Sequence, residues 1–127
     1  LLVDDDPATL DVLEFSLSLD GHETARALDG RQGLDAVTRF SPDLITLDSM
    51  MPVMDGLTAA RELRADPRTA QIPIVMLTAK AMASDVWAGY QAGVDSYITK
   101  PLDLDVLVAE IGRLGVQTPT PTAEVVP

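Results

Sequence analysis

The chain has 127 residues, 46% hydrophobic and 23% charged, and its 9 Lys and Arg against 20 Asp and Glu give a formal charge of −11. These values fit one globular domain able to bury a core, and they exclude wholesale disorder. The acidic balance argues against direct binding to nucleic acid or to an anionic membrane surface, and the absence of Cys excludes disulfides, thiolate metal sites and Cys nucleophiles.

In chain order, Leu1-Leu2-Val3 is a short apolar run ending at three acids. Leu1 already stands inside that run, which points to a natural start further upstream. Asp6-Pro7 opens a helix, with Asp6 as cap and Pro7 at its first position. Leu10, Leu13, Leu17 and Phe15 supply its apolar stripe, and Gly21 stops it near Asp20. His22 to Leu28 is a weak strand, and Asp29-Gly30 turns into a second helix over about Arg31 to Phe40. Ser41-Pro42 breaks that helix. Asp43 to Asp48 is a strong strand. Pro52 and Gly56 bracket a loop, with Asp55 as a turn or cap residue, and a third helix runs from about Leu57 to Ala65. Ile72 to Leu77 is the most apolar strand. Ala81 to Ala92 is a helix closed by Gly93, Asp95 to Thr99 a short strand, and Leu104 to Leu114 a last helix with Leu104, Leu107, Val108 and Ile111 on one face. Residues 115–127, rich in Thr and Pro, form a disordered tail or linker after a domain over 1–114.

No apolar run approaches the roughly 18 residues of a membrane span, and no basic-then-apolar signal segment opens the chain, so a cytoplasmic domain is the expectation. Strands alternating with helices imply an α/β fold with a mainly parallel sheet and helices on both faces. In open sheets of this kind, sites form at the carboxyl ends of the strands. Those ends carry Asp4-Asp5-Asp6, Asp48, Thr78-Ala79 and Lys100-Pro101. Carboxylates brought together repel, and a bound cation relieves them. An all-oxygen set without His or Cys favours Mg²⁺, with Mn²⁺ or Ca²⁺ next, over zinc.

Four segments, Leu2 to Pro7, Asp48 to Gly56, Leu77-Thr78-Ala79 and Tyr97 to Pro101, occur in an order and spacing that resembles the receiver domain of two-component response regulators. The resemblance covers about residues 1–114. It implies a flavodoxin-like, doubly wound, five-stranded parallel sheet in the order 2-1-3-4-5 with five helices; a chemotaxis receiver is a standard example of that order. It further implies that Asp48 accepts a phosphoryl group from a sensor histidine kinase or phosphotransfer protein. Asp5 and Asp48 would bind Mg²⁺ through carboxylates, Met50 through its carbonyl, and Asp4 mostly through water. Lys100 would pair with phosphoryl oxygens, Thr78 and Ala79 would bind them as Thr78 swings inward, and Tyr97 would reposition in step. A cis Lys100–Pro101 bond is the family habit. The domain would then catalyse only its own phosphorylation and dephosphorylation, and act through an effector domain or protein whose identity is open.

The chain departs from the family's transcription-factor branch in three ways: Leu102 after Lys100-Pro101, Glu110 in place of an Arg, and Asp95-Ser96 in place of two acids. The Arg normally pairs across a dimer, so a monomer or weak dimer is expected here. A Mg²⁺-dependent phosphohydrolase on a similar sheet is the rival, but the haloacid type needs a second Asp where Met50 stands. A flavin phosphate would be repelled by Asp4-Asp5-Asp6. His22, the single His, is expected far from the acidic edge.

Overall fold

A computed structural model describes residues 1–115. Five strands, β1 (Leu2–Val3), β2 (Arg26–Ala27), β3 (Ile45–Leu47), β4 (Ile74–Thr78) and β5 (Ser96–Thr99), alternate with α1 (Pro7–Leu19), α2 (Gly30–Phe40), α3 (Gly56–Ala65), α4 (Ala83–Ala92) and α5 (Leu104–Arg113). All strand pairs are parallel and the order is β2-β1-β3-β4-β5. Among the described residues no helix is long and apolar enough to cross a membrane. The expected tail lies outside the described residues, apart from Gly115.

The period-2 alternation of a strand decides the two cores. Ile74 and Met76 of β4 face a layer with Val3, Ile45, Leu47, Val37, Ala60 and Leu63, beneath α2, α3 and α4. Val75 and Leu77 face the opposite layer with Leu2, Leu10, Leu13, Leu17, Leu107 and Ile111, beneath α1 and α5. Both faces of the sheet are therefore covered, which explains why β4 reads as an unbroken apolar run. Asp side chains cap the helices: Asp6, Asp29, Asp55 and Asp103 accept main-chain N–H groups at the starts of α1, α2, α3 and α5. Part of the acid excess thus serves the helix ends, where negative charge also favours the dipole.

Three expectations need correction. Phe15 is 70% exposed, because it falls on the α1 face away from Leu10, Leu13 and Leu17. Val108 is exposed while Leu107 and Ile111 are buried, so the α5 stripe is narrower than the sequence suggests. The weak strand at 22–28 shrinks to two residues, since only Arg26 and Ala27 find register with Leu2 and Val3. At this edge Arg26 pairs with Asp11 at 2.9 Å and with Glu14, tying β2 to α1.

Candidate functional site

Four of the five strands, β1, β3, β4 and β5, deliver polar side chains to the same edge. β1 leads into Asp4, buried at 4% exposure, and Asp5, which is exposed; β3 leads into buried Asp48; β4 ends on fully buried Thr78; β5 leads into half-buried Lys100. Parallel pairing puts these ends together: the Asp4 N–H donates to Ala27 O and the Asp48 N–H to Val3 O. Behind Asp48, α3 starts at Gly56, where a Cβ would stand 2.2 Å from Asp48 O and 2.9 Å from Ser49 Cα. Only glycine lets the helix approach the strand end so closely.

Lys100 organises the carboxylates. Its Nζ donates to Asp4 Oδ2 at 2.9 Å and lies 3.5 Å from Asp48 Oδ2. Asp4 Oδ1 accepts from the Asp6 N–H at 2.9 Å, and Asp48 Oδ1 from the Met50 N–H at 3.2 Å. Asp4, Asp5 and Asp48 each offer an oxygen within 4.8 Å of the others. Three carboxylates against one ammonium leave the cluster short of positive charge. Burial is the main cause that pushes the Asp48 carboxyl above its ordinary value of 3.8; Asp4 pushes the same way, while the Met50 N–H and Lys100 oppose. At Lys100, burial works against the charge, but the bond to Asp4 and the field of Asp48 outweigh it and hold the ammonium above 10.5. The donor set is all oxygen, partly buried and open on the Asp5 side, which fits a hard divalent cation that keeps several waters. That chemistry suits Mg²⁺ better than zinc.

The Lys100–Pro101 bond is cis. Lys100 N–H donates to Thr78 O at 2.8 Å, which fixes the start of this turn against the end of β4. Ala79 follows Thr78 on the exposed loop, and Met50 projects a 57% exposed side chain beside Asp48. The Tyr97 hydroxyl donates to Lys80 O at 2.7 Å, and its ring packs where Gly89 leaves room: a Cβ there would meet the ring at 2.8 and 2.9 Å. Burial, then the charges of Asp85 and Asp48, raises the Tyr97 phenol above 10.0. His22 lines a cleft with Leu17, Phe40 and Leu44, remote from the acidic edge.

Two residues escaped the sequence. Ser49 is buried and its Oγ lies 2.6 Å from Thr78 Oγ1. Arg64 sits at the end of α3 and donates to Gly93 O at 2.8 Å, Ala70 O at 3.1 Å, Ile72 O at 2.7 Å and Asp95 Oδ2 at 2.7 Å. It clamps α3 to the α4–β5 corner. No local signal marks either, because Ser49 reaches Thr78 and Arg64 reaches Gly93 and Asp95, all in other elements.

Comparison with known proteins bears on the whole arrangement. A family model described as the response regulator receiver domain matches residues 1–112. The DNA-binding dual master transcriptional regulator RpaA of Synechocystis is 41% identical over 114 residues, 90% of this chain and 47% of that protein. The chain thus spans about half the length of this curated relative. Among solved structures, the receiver domain of a signal transduction histidine kinase from Syntrophus aciditrophicus superposes with a TM-score of 0.84 at 31% identity, covering 99% of this chain and 95% of that one. The receiver domain of the sensor histidine kinase PA1611 from Pseudomonas aeruginosa, with magnesium coordinated in its active-site cleft, gives 0.82 at 34% identity, covering 89% and 93%.

Proposed function

Because the chain belongs to the response regulator receiver domain family, we propose that Asp48 is its phosphoacceptor and that phosphorylation there changes a partner-binding surface. The observation that carries this is the convergence of buried Asp48 with Lys100 and Thr78 at one sheet edge. In the transfer, an Asp48 carboxylate oxygen forms the bond to phosphorus as the bond to the donor nitrogen breaks. The donor is the phosphohistidine of a sensor kinase or phosphotransfer protein, and its imidazole leaves. Lys100, charged and already 3.5 Å from Asp48, pairs with the phosphoryl oxygens, and the Thr78 hydroxyl donates to one of them. Ala79 contributes backbone beside Thr78. Asp5, Asp48 and the Met50 carbonyl, with Asp4 through water, would hold Mg²⁺, which would supply charge neutralisation for those oxygens; Mn²⁺ would fit the same donors.

The protein is a switch rather than a conventional enzyme: Asp48 is modified and later restored. Inward movement of Thr78 draws on the loop that carries Lys80, whose carbonyl holds the Tyr97 hydroxyl. Displacement of that loop frees Tyr97 to turn in, and alters the surface of α4, β5 and α5, where Trp87, Tyr90 and Val106 are exposed. The effector that reads this surface, in the same chain or another, is set by its fit to that apolar face. The phosphohydrolase alternative has no supporting residue, because Met50 stands where its acid would be.

Incubation with acetyl phosphate and Mg²⁺, followed by intact mass, tests the acceptor. The wild type gains one phosphoryl group and Asp48→Asn gains none; equal incorporation in both rejects Asp48. Calorimetric titration with Mg²⁺ tests the metal site, where Asp5→Ala loses affinity.

A further inference from the structure

The residue next to the acceptor has no part in the chemistry just described, yet it is built into the site. Ser49 is 6% exposed, and its Oγ and Thr78 Oγ1 form a 2.6 Å hydrogen bond in the interior. A hydroxyl has one proton and two lone pairs. Thr78 Oγ1 already accepts from the Lys80 N–H at 3.2 Å. Ser49 and Lys80, not Asp48, thus engage the Thr78 hydroxyl, and Thr78 is sealed from solvent, so water is a poor substitute for Ser49.

We propose that Ser49 is a positioning residue, a latch that holds the Thr78 hydroxyl off the phosphoryl site until phosphorylation draws it away. The proposal rests on the phosphoryl site proposed above. Thr78 then has two competing partners, Ser49 Oγ before phosphorylation and a phosphoryl oxygen after it. The free-energy gap between the two positions contains the Ser49–Thr78 bond. Deleting Ser49 Oγ leaves Thr78 Oγ1 in the first position with the Lys80 N–H alone, and a buried hydroxyl short of a partner is unfavourable. The second position loses nothing. Removing the latch therefore favours the switched form.

Beryllofluoride, a stable mimic of the phosphoryl group, reads this gap. It is titrated calorimetrically in saturating Mg²⁺ against the wild type, Ser49→Ala, Ser49→Thr, Thr78→Ala and the Ser49→Ala/Thr78→Ala pair, with Mg²⁺ affinity measured separately. Ser49→Ala is expected to bind beryllofluoride about fivefold tighter, the equilibrium worth of one net hydrogen bond. Ser49→Thr, which keeps the hydroxyl, returns to the wild-type affinity. In the Thr78→Ala background the Ser49→Ala effect disappears, which a merely structural role of Ser49 would not produce. Unchanged or weaker binding by Ser49→Ala overturns the latch, as does equal tightening without the Thr78 hydroxyl. Failure of the wild type to take up beryllofluoride removes the phosphoryl site itself; uptake without tightening removes only the latch. If Ser49→Ala does not fold, Ser49→Cys, close in shape and weak in hydrogen bonding, carries the same expectation.

Discussion

Arg64→Met removes the clamp at the α4–β5 corner while keeping an apolar stem. The stem matters, because a Cβ at Gly93 would stand 2.6 Å from Arg64 Cγ, so the side chain lies directly on that glycine. What is lost is the guanidinium, which serves three carbonyls and one carboxylate. A hydrogen bond to a charged donor contributes about 1.5–3 kcal/mol when well buried. The Arg64 side chain is 22% exposed, so water replaces part of this, and about 1 kcal/mol per carbonyl is a fair value. Asp95 is 39% exposed, and its ion pair contributes less than about 1 kcal/mol. The expected loss is about 3–4 kcal/mol, large against a domain stability of about 5–15 kcal/mol. Urea unfolding followed by far-UV circular dichroism measures it, since Trp87 is 67% exposed and a poor reporter of folding. With a urea slope of about 1–3 kcal/mol/M, the midpoint falls by roughly 1–4 M at constant slope. Asp95→Asn falls less, because its remaining oxygen still accepts from the Ile74 N–H. A midpoint shift under about 0.5 M for Arg64→Met would mean that solvent replaces the guanidinium almost fully.

Three further outcomes follow from the site and its flank. Asp48→Asn gains stability without metal: the folded carboxyl has a raised pKa, so its burdened charge is fully present above that value and relieved below the ordinary 3.8. The gain is therefore full at neutral pH and vanishes as the pH falls through that window, which urea midpoints from pH 7 to pH 3 will show. The phosphorylated chain stays free of the transcription-factor type of dimer, because Glu110 is held within its own protomer by Arg113 and by Ser96 at 2.6 Å, which also keep it ionised down to about 2; light scattering with beryllofluoride checks this. Phospho-Asp48 is expected to be long-lived, since Met50 and Lys80 are exposed two residues after Asp48 and Thr78 and neither accepts a hydrogen bond well from an attacking water. Met50→Asn with Lys80→Glu should lose phosphate at least about tenfold faster after acetyl phosphate is removed, roughly 1.4 kcal/mol in barrier.

The fold was legible because its signals are local and redundant. Asp6-Pro7, Asp29-Gly30 and Asp55-Gly56 each announce a helix start beside an apolar run, and the period of β4 and its flanking loops fixes a buried strand. The carboxyl ends of the strands then place Asp4, Asp5, Asp48, Thr78 and Lys100 at one edge by topology alone. Phe15 defeated the pattern because apolar residues at spacings near 3.6 lie on a circle, and the sequence does not say which arc meets the sheet. Arg64 and Ser49 were illegible for another reason: their partners lie in other elements, up to 31 residues away in the chain. Val53 adopts φ 68° in the loop after Asp48, a conformation that a β-branched residue avoids and that no propensity foretells. The swap of Ser96 and Glu110 was visible as two separate oddities; the 2.6 Å bond joins them into one.

An open sheet has two bare margins, and here they are unequal. β2 offers only Arg26 and Ala27, with the Arg26 side chain drawn onto α1 by Asp11 and Glu14. A foreign strand laid against it would find too short a ladder, and a fixed cation in its way. β5 offers Ser96 to Thr99, and Pro101, which has no N–H to donate, bounds that ladder just beyond. Any edge-to-edge aggregation of this domain therefore has one place to begin, the β5 margin, and a ladder of four residues to work with.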